Sequence, residues 1–396
     1  MTAEPTTAID RSGDYLARTE AIASIIADGA AEGERAHQLT GAVMDALHGA
    51  GLFRLLLPAS YGGGEVDPPT YARIIEAVAK ADASAAWCLG QANGCTITAA
   101  YVEPAVAEEI WGNDPRAVLA WGPGKGELRA AGDGYRLTGS WSFASGCHHA
   151  TWLGAVSVVK DADGTVRRTA EDKPVTRVAV FPAGKTELTA IWDVVGLLGT
   201  GSDAYAVDDM AVAGEYLIAR DDPAARHEDG PLYAFPTTTF YAIGFSATAL
   251  GIARPMIDEF VAIAGEKTPR LIQQRLGDNA VVQAEVARAE AKLGSARAFL
   301  FGELSDIWQT VLDTGALTID DRVRIRLATT HAIHEARWVV DTMYELAGAT
   351  AIFESSPFAR RFRDMHTLSQ QVQARRANLE LVGAYMFGHP PLPGVI

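Results

Sequence analysis

The hydrophobic period of this chain changes twice, and that change restricts the available folds more than any single motif. From about residue 14 to 110, segments rich in Ala, Leu, Ile and Glu place apolar residues three and four apart, the pattern of helices with one buried face. From about residue 116 the pattern shortens. "YRLTGSWSF", "TWLGAVSVV", "TRVAVFPA" and "YAVDDMAV" are brief, β-branched or aromatic, and set apart by turns such as "DADG" and "FPAG", which predicts a compact β domain. No helix long enough for a βαβ crossover lies between them, which argues against a doubly wound parallel sheet. From about residue 236 the helical period returns. Val282, Val286, Ala289, Leu293, Ala296, Leu300, Leu304, Ile307 and Val311 keep one stripe along a helix of roughly 50 Å. A second long helix runs from about Asp320 to Leu346 and stops at Gly348. The predicted fold class is α+β in three units. They are an N-terminal helical domain (1–115), a small β-barrel domain (116–235) and a C-terminal four-helix bundle (236–396).

Local signals sharpen this outline. In "DPPTYARIIEAVAKADASAAW", Asp67 can cap a helix whose first turn holds Pro68 and Pro69. In "GSWSFASGCHHATW" (139–152), Trp141 and Phe143 alternate with small residues as a strand requires. Ser145, Gly146, Cys147, His148 and His149 then follow, and a strand needs none of them. The net charge of −15 argues against a broad basic face for nucleic acid or anionic membrane. Cys88, Cys95 and Cys147 form no CxxC pair and read as reduced thiols in the cytoplasm. "MTAEPTTAIDRSGDY" shows neither the basic nor the apolar region of an export signal. No run of eighteen apolar residues predicts a membrane span.

Four stretches, in this order, resemble the acyl-CoA dehydrogenase superfamily over nearly the whole chain. "GLFRLLLPASYGGGEVDPPTYARIIEAVAKADASAAW" resembles its N-terminal helices and "GYRLTGSWSFASG" its flavin-facing strand. "DVVGLLGTGSDAYAVDDMAV" resembles the segment that closes the β domain, and "YELAGATAIFESSPFARRFRDMHTLSQQ" the C-terminal region around an RD pair. The resemblance implies a homotetrameric flavoprotein with its flavin between the β domain and the C-terminal bundle. In such proteins the aromatic at the place of Phe143 packs on the isoalloxazine and the hydroxyl at the place of Ser145 meets its N5 edge. A flat apolar partner suits the ring, and a hydroxyl can donate or accept.

Within that superfamily, the dehydrogenases need a carboxylate base a few residues past the RD pair. Here the matching place, after Arg363 and Asp364, is Val372, with Gln371 before it. The alternative place, in "GFSATALGIAR", also has no carboxylate. Phe143-Ala144-Ser145-Gly146, Thr200-Gly201-Ser202 and Arg363-Asp364-Met365-His366-Thr367 resemble instead the oxygenase components of two-component aromatic monooxygenases. These use FMNH2 or FADH2 from a separate NAD(P)H:flavin reductase, and O2, to hydroxylate a phenol- or indole-type small molecule. The resemblance implies Ser145, Gln371 and His366 as catalytic residues. It implies Phe143, Ser145, Gly146, Trp121, Gly348 and Thr200 as flavin contacts, and Trp87, Cys95 and His148 as substrate contacts. Gln371 stands where many of these enzymes have a histidine. Glu345 stands where a glutamine meets the diphosphate, which favours FMN or weakly held FADH2.

Two other readings remain open in the sequence: a dehydrogenase-like enzyme whose base is displaced, and a tetrameric scaffold that has lost its flavin. His331 and His334 of "HAIHE" lack the spacing and the further ligands of a metal site, so no metal is expected. "GPGKG" (122–126) has no GK[ST] and no helix after it, so it is no phosphate loop; the resemblance makes it a loop beside the flavin.

Overall fold

The computed structural model describes residues 12–390. The segment examined for an export signal lies mostly outside them. The N-terminal helices are α1 (Ser12–Ala21), α2 (Ala23–Ala36), α3 (Gly41–Gly49), α4 (Pro68–Ala81), α5 (Ala83–Thr96) and the single turn α6 (Pro104–Ala107). Their start signals work as the sequence indicates. The Asp67 carboxylate accepts the Thr70 N–H at 2.8 Å, with Pro68 and Pro69 in the first turn of α4. Asp82 accepts the Ala85 N–H at 2.8 Å and starts α5. Each cap satisfies an amide that the helix itself leaves unpaired.

Eight strands follow: β1 (Leu119–Ala120), β2 (Gly124–Ala131), β3 (Gly134–Trp141), β4 (Trp152–Lys160), β5 (Thr176–Pro182), β6 (Leu188–Thr189), β7 (Ala204–Ala213) and β8 (Leu217–Ile218). They form one curled sheet in the order β6-β7-β3-β2-β4-β5-β8, with β1 beside β4. Pairing is antiparallel except where β4 meets β1 and β2. The sheet has its own core, built on Leu128, Leu137, Trp141, Leu153, Phe181 and Tyr205. Its buried aromatics keep their polar tips paired. The Trp141 indole donates to the Val156 carbonyl at 3.0 Å, and the Tyr205 hydroxyl donates to the Gly154 carbonyl.

The chain then returns to helix: α7 (Thr237–Glu266), α8 (Ala280–Thr314), α9 (Ile319–Ala347), α10 (Pro357–Leu368) and α11 (Ala377–Met386). α8 has 35 residues, about 52 Å of helix. Val282, Ala289, Leu293, Ala296, Leu300, Leu304, Ile307 and Val311 of the predicted stripe are buried. α9 opens on a reciprocal capping box between Thr318 and Asp321. Among the described residues, α7 is the one helix long and apolar enough to cross a membrane, but 89% of its most apolar window is buried in the protein. It is a core helix, packed on α4, α5 and α9. The N-terminal helices and the C-terminal bundle share one continuous apolar core, separate from that of the sheet. The seam between these two cores is where the chemistry-bearing residues gather.

Candidate functional site

After β3 the backbone turns sharply and is pinned at every step. The Ser142 N–H donates to the Pro123 carbonyl at 3.0 Å, Ala144 to Asp203 at 3.1 Å and Gly146 to Thr200 at 2.9 Å. Gly122 permits this packing, because a Cβ there would lie 1.8 Å from the Ser142 carbonyl oxygen. Phe143 itself has φ +56°, a strained value for an aromatic residue. The strain turns its ring outward, to 58% exposure, while Ala144 and Ser145 on either side of the next bond are buried. Trp192 stands edge-on to that ring, with centroids 6.0 Å apart at 86°.

Behind the exposed ring runs a chain of hydroxyls. Trp87 Nε1 lies 2.9 Å from Ser145 Oγ, which lies 2.7 Å from Ser202 Oγ. Ser202 lies 2.8 Å from Thr200 Oγ1, and Thr200 donates to the Leu197 carbonyl at 2.7 Å. The same carbonyl receives the Trp192 indole N–H at 2.9 Å. Leu197 has φ +53°, and its own N–H donates to Asp364 of α10 at 2.6 Å.

The facing wall comes from α5 and α7. α5 is buried on almost every side; within it Trp87 and Gln91, one turn apart, are the residues with partial exposure. Trp87 stacks on Phe245 of α7 at 3.8 Å and 8°, and Tyr241 stacks on Phe245 one turn earlier. Gln91 donates to the Trp121 carbonyl at 3.2 Å. The Cys95 thiol sits 3.5 Å from the Tyr241 hydroxyl, and burial pushes it up to about 12. The wall is thus aromatic, with a neutral thiol and an amide at one end.

The structure brings together Phe143, Ser145, Gly146, Thr200 and Trp87, and places Cys95 in the adjoining wall. It sets the others elsewhere. The Trp121 ring is buried against Gly154 of β4. His148 pairs with Asp203 at 2.7 Å. Burial acts to raise the Asp203 carboxyl, yet the N–H groups of Ile191 and Trp192 together with His148 hold it below the usual range. His366 pairs with Asp341 of α9 at 2.7 Å and packs on Phe362. Gln371 accepts the Gln373 N–H through Oε1 at 2.6 Å, and its buried Nε2 has no partner among the described residues. Gly348 ends α9 at φ +57°. Glu345 is exposed. The "GPGKG" segment is only partly loop, since β2 begins at Gly124. His334 bonds the Ala374 carbonyl at 2.8 Å, and no metal-binding cluster occurs among the described residues.

Sequence reasoning missed Gln91, Trp192, Leu197, Tyr241 and Phe245. Tyr241 and Phe245 were findable as an i, i+4 aromatic pair at the start of α7. Leu197 was not, because its role belongs to its backbone. No displaced base emerges among the buried carboxylates of this seam. Asp82, Asp203 and Asp364 are each held by backbone N–H groups.

A flat ring system fits the exposed face of Phe143, with Ser145 at its edge and the Trp87–Phe245–Tyr241 wall beyond. Comparison with known proteins identifies the family of the chain. The description "Acyl-CoA dehydrogenase, N-terminal domain" matches residues 17–108, and "Acyl-CoA dehydrogenase, C-terminal domain" matches residues 243–376. An indole-3-acetate monooxygenase of Pseudomonas putida is 32% identical over 382 residues, covering 95% of each chain. The oxygenase component of an FADH2-dependent resorcinol hydroxylase from a Rhizobium species is 25% identical, covering 95% of this chain and 94% of that one. The crystal structure of 3-HSA hydroxylase from a Rhodococcus species superposes with a TM-score of 0.88 at 25% identity, covering 98% of this chain and 100% of that one.

Proposed function

The chain belongs to the flavin-dependent monooxygenases of the acyl-CoA dehydrogenase superfamily, and from that membership we propose that it is the oxygenase component of a two-component system acting on an aromatic or heteroaromatic small molecule. The observation that carries the proposal is the strained, exposed Phe143 beside the buried Ser145 hydroxyl, with the Trp87–Phe245 stack adjoining and with the buried carboxylates Asp82, Asp203 and Asp364 all engaged by backbone N–H groups. Phe143 and Trp192 hold the flavin ring, Ser145 meets its N5 edge, and Trp87, Tyr241 and Phe245 enclose the substrate. When bound, the reduced flavin activates O2, so that one oxygen atom passes to an electron-rich ring and the other leaves as water. The protein's part is to orient both rings and to keep bulk water from the seam.

We favour FADH2 over FMNH2, because a relative of nearly equal length is FADH2-dependent and the exposed Glu345 carboxylate is solvated, which weakens its repulsion of a diphosphate. A separate NAD(P)H:flavin reductase supplies the reduced cofactor. The protein works as a cytoplasmic homotetramer. The three free, buried thiols support a reducing compartment, and the exposed Ile352, Phe353 and Val372 support contacts between copies. Indole-3-acetate is the first substrate to test. Besides its aromatic wall, the seam has Arg220 within electrostatic reach of both Cys95 and Tyr241. That guanidinium has one long ion pair, 3.6 Å to Asp221, and can take a carboxylate.

The test supplies FADH2 anaerobically with a panel of indoles, phenols and aromatic acids, then admits 18O-labelled O2. A product carrying one 18O atom supports the proposal. Oxygen consumption that yields only hydrogen peroxide with every member of the panel overturns it.

A further inference from the structure

The hydroxyl chain behind Phe143 can be polarised in only one direction. At one end stands the Trp87 indole, which donates and never accepts; at the other stands the Leu197 carbonyl, which accepts and never donates. Between them lie three hydroxyls with one proton each, joined by contacts of 2.9, 2.7, 2.8 and 2.7 Å. Thr200 donates to Leu197, so the Thr200–Ser202 contact takes the Ser202 proton. The Ser145–Ser202 contact then takes the Ser145 proton. Ser145 accepts from Trp87, donates inward to Ser202, and has one lone pair left for anything outside. All three hydroxyl residues are buried, so water does not relax the order. The Leu197 backbone that ends the chain is held in place, since its N–H donates to Asp364 at 2.6 Å. Aligned chains of this kind strengthen one another.

We propose that Thr200 and Ser202 are positioning residues that lock the Ser145 hydroxyl as a hydrogen-bond acceptor, and that the site therefore selects the reduced flavin. The inference rests on the flavin reading given above. Reduced flavin bears an N–H at N5, a donor that matches the free lone pair of Ser145. Oxidised flavin bears a lone pair at N5, which would face another lone pair. A buried mismatch of this kind costs about one to two powers of ten in affinity. The chain would thus admit the cofactor in its loaded form and release it after oxidation.

The test is a pair of fluorescence and absorbance titrations, anaerobic with FADH2 and aerobic with FAD, read as the ratio of the two dissociation constants. For the native protein the ratio favours FADH2 by about tenfold or more. Thr200→Val removes the link to Leu197, so Ser202 can turn to donate to Ser145 and free the Ser145 proton. FAD then binds more tightly and the ratio falls to within about threefold. Ser202→Ala, which also frees that proton, gives the same fall, and Thr200→Ser restores the native ratio. Trp87→Phe leaves the Ser145–Ser202 bond intact and keeps the preference. Circular dichroism confirms that each variant is folded; should Thr200→Val fail to fold, Ser202→Ala decides the matter. A ratio unchanged in the folded variants overturns the inference while leaving the flavin reading standing. Failure of the native protein to bind either form overturns the flavin reading itself, and the inference with it.

Discussion

Two side chains near the seam test the reading at the scale of single residues. Phe143 is more than half exposed and backbone-strained, a combination with no benefit to folding. Phe143→Ala is expected to change stability by less than about 1 kcal/mol yet weaken flavin binding at least tenfold, as measured by melting and by titration. A melting loss typical of a core aromatic would instead make Phe143 a packing residue. Asp364 of α10 holds the Leu197 N–H from across the seam. Burial, with Asp82 adding repulsion against the pull of Arg360, raises its carboxyl to about 7. The native state therefore binds more protons than the unfolded chain between the ordinary aspartate value of 3.8 and about 7. The stability that Asp364 contributes is full below 3.8 and is lost as pH rises through about 7. Asp364→Asn still offers an oxygen to the Leu197 N–H but cannot ionise. Its melting temperature is expected to exceed that of the native protein by more at pH 8 than at pH 5, the gap closing as pH falls toward the ordinary aspartate value of 3.8. An equal shift at both pH values would contradict the assignment.

At the scale of elements, the closest approach that shapes the substrate side is between α5 and α7. A Cβ on Gly94 would lie 2.3 Å from the Tyr241 ring, too near to be relieved without moving that ring. Gly94→Ala should therefore raise KM for the aromatic substrate severalfold, with little change in flavin affinity; an unaltered KM would remove Tyr241 from the substrate wall. This pair of helices also shows what the sequence could and could not disclose. α8 was legible because one stripe is buried and the rest is wet, so its period survives in the residue pattern. α4 was legible from its cap and its two prolines. α5 is apolar or small almost all round, and periodicity could not show that its Trp87–Gln91 edge faces the seam. The stretch from β3, which ends at Trp141, to Phe143 just beyond it and the Thr200–Ser202 segment could be singled out by resemblance, although the strand pattern did not show that Phe143 lies outside the strand. The loop that unites them could not, since its link runs through the backbone of Leu197 and a carboxylate 167 residues further along the chain. Histidines were the weakest guide. His149 accepts the Leu39 N–H at 3.1 Å, and burial lowers it to about 4, which makes it a structural acceptor that residue type alone cannot distinguish from a catalytic one.

For the whole molecule, the seam holds its shape only if the N-terminal helices stay docked on the bundle. Much of that docking is apolar: Gly90 and Gly244 let α5 and α7 approach closely, with the Tyr71 hydroxyl between them and donating to the Gly90 carbonyl. Two ion pairs contribute among the described residues: Arg363 on α10 pairs with Glu34 on α2, and Arg297 on α8 pairs with the more deeply buried Glu76 on α4. Glu76 on α4 is 4% exposed, and Arg297 on α8 approaches both its oxygens, at 2.8 and 3.0 Å. The guanidinium also lies over the Phe301 ring, 4.5 Å from its centre. Two partners so unequally buried do not contribute equally. The pair as a whole adds little, because removing the carboxylate from water offsets most of the attraction. Breaking it from one side is different, since Arg297→Met leaves a buried carboxylate unpaired. That variant should lose roughly 2–4 kcal/mol of stability. Arg297→Met combined with Glu76→Gln should recover more than half of the loss, because the neutral amide no longer demands a counter-charge. Denaturant unfolding of the native protein, both single variants and the double variant closes the cycle. If the double variant is no more stable than Arg297→Met alone, the contact behaves as a surface pair and adds nothing to the docking of α4 on α8.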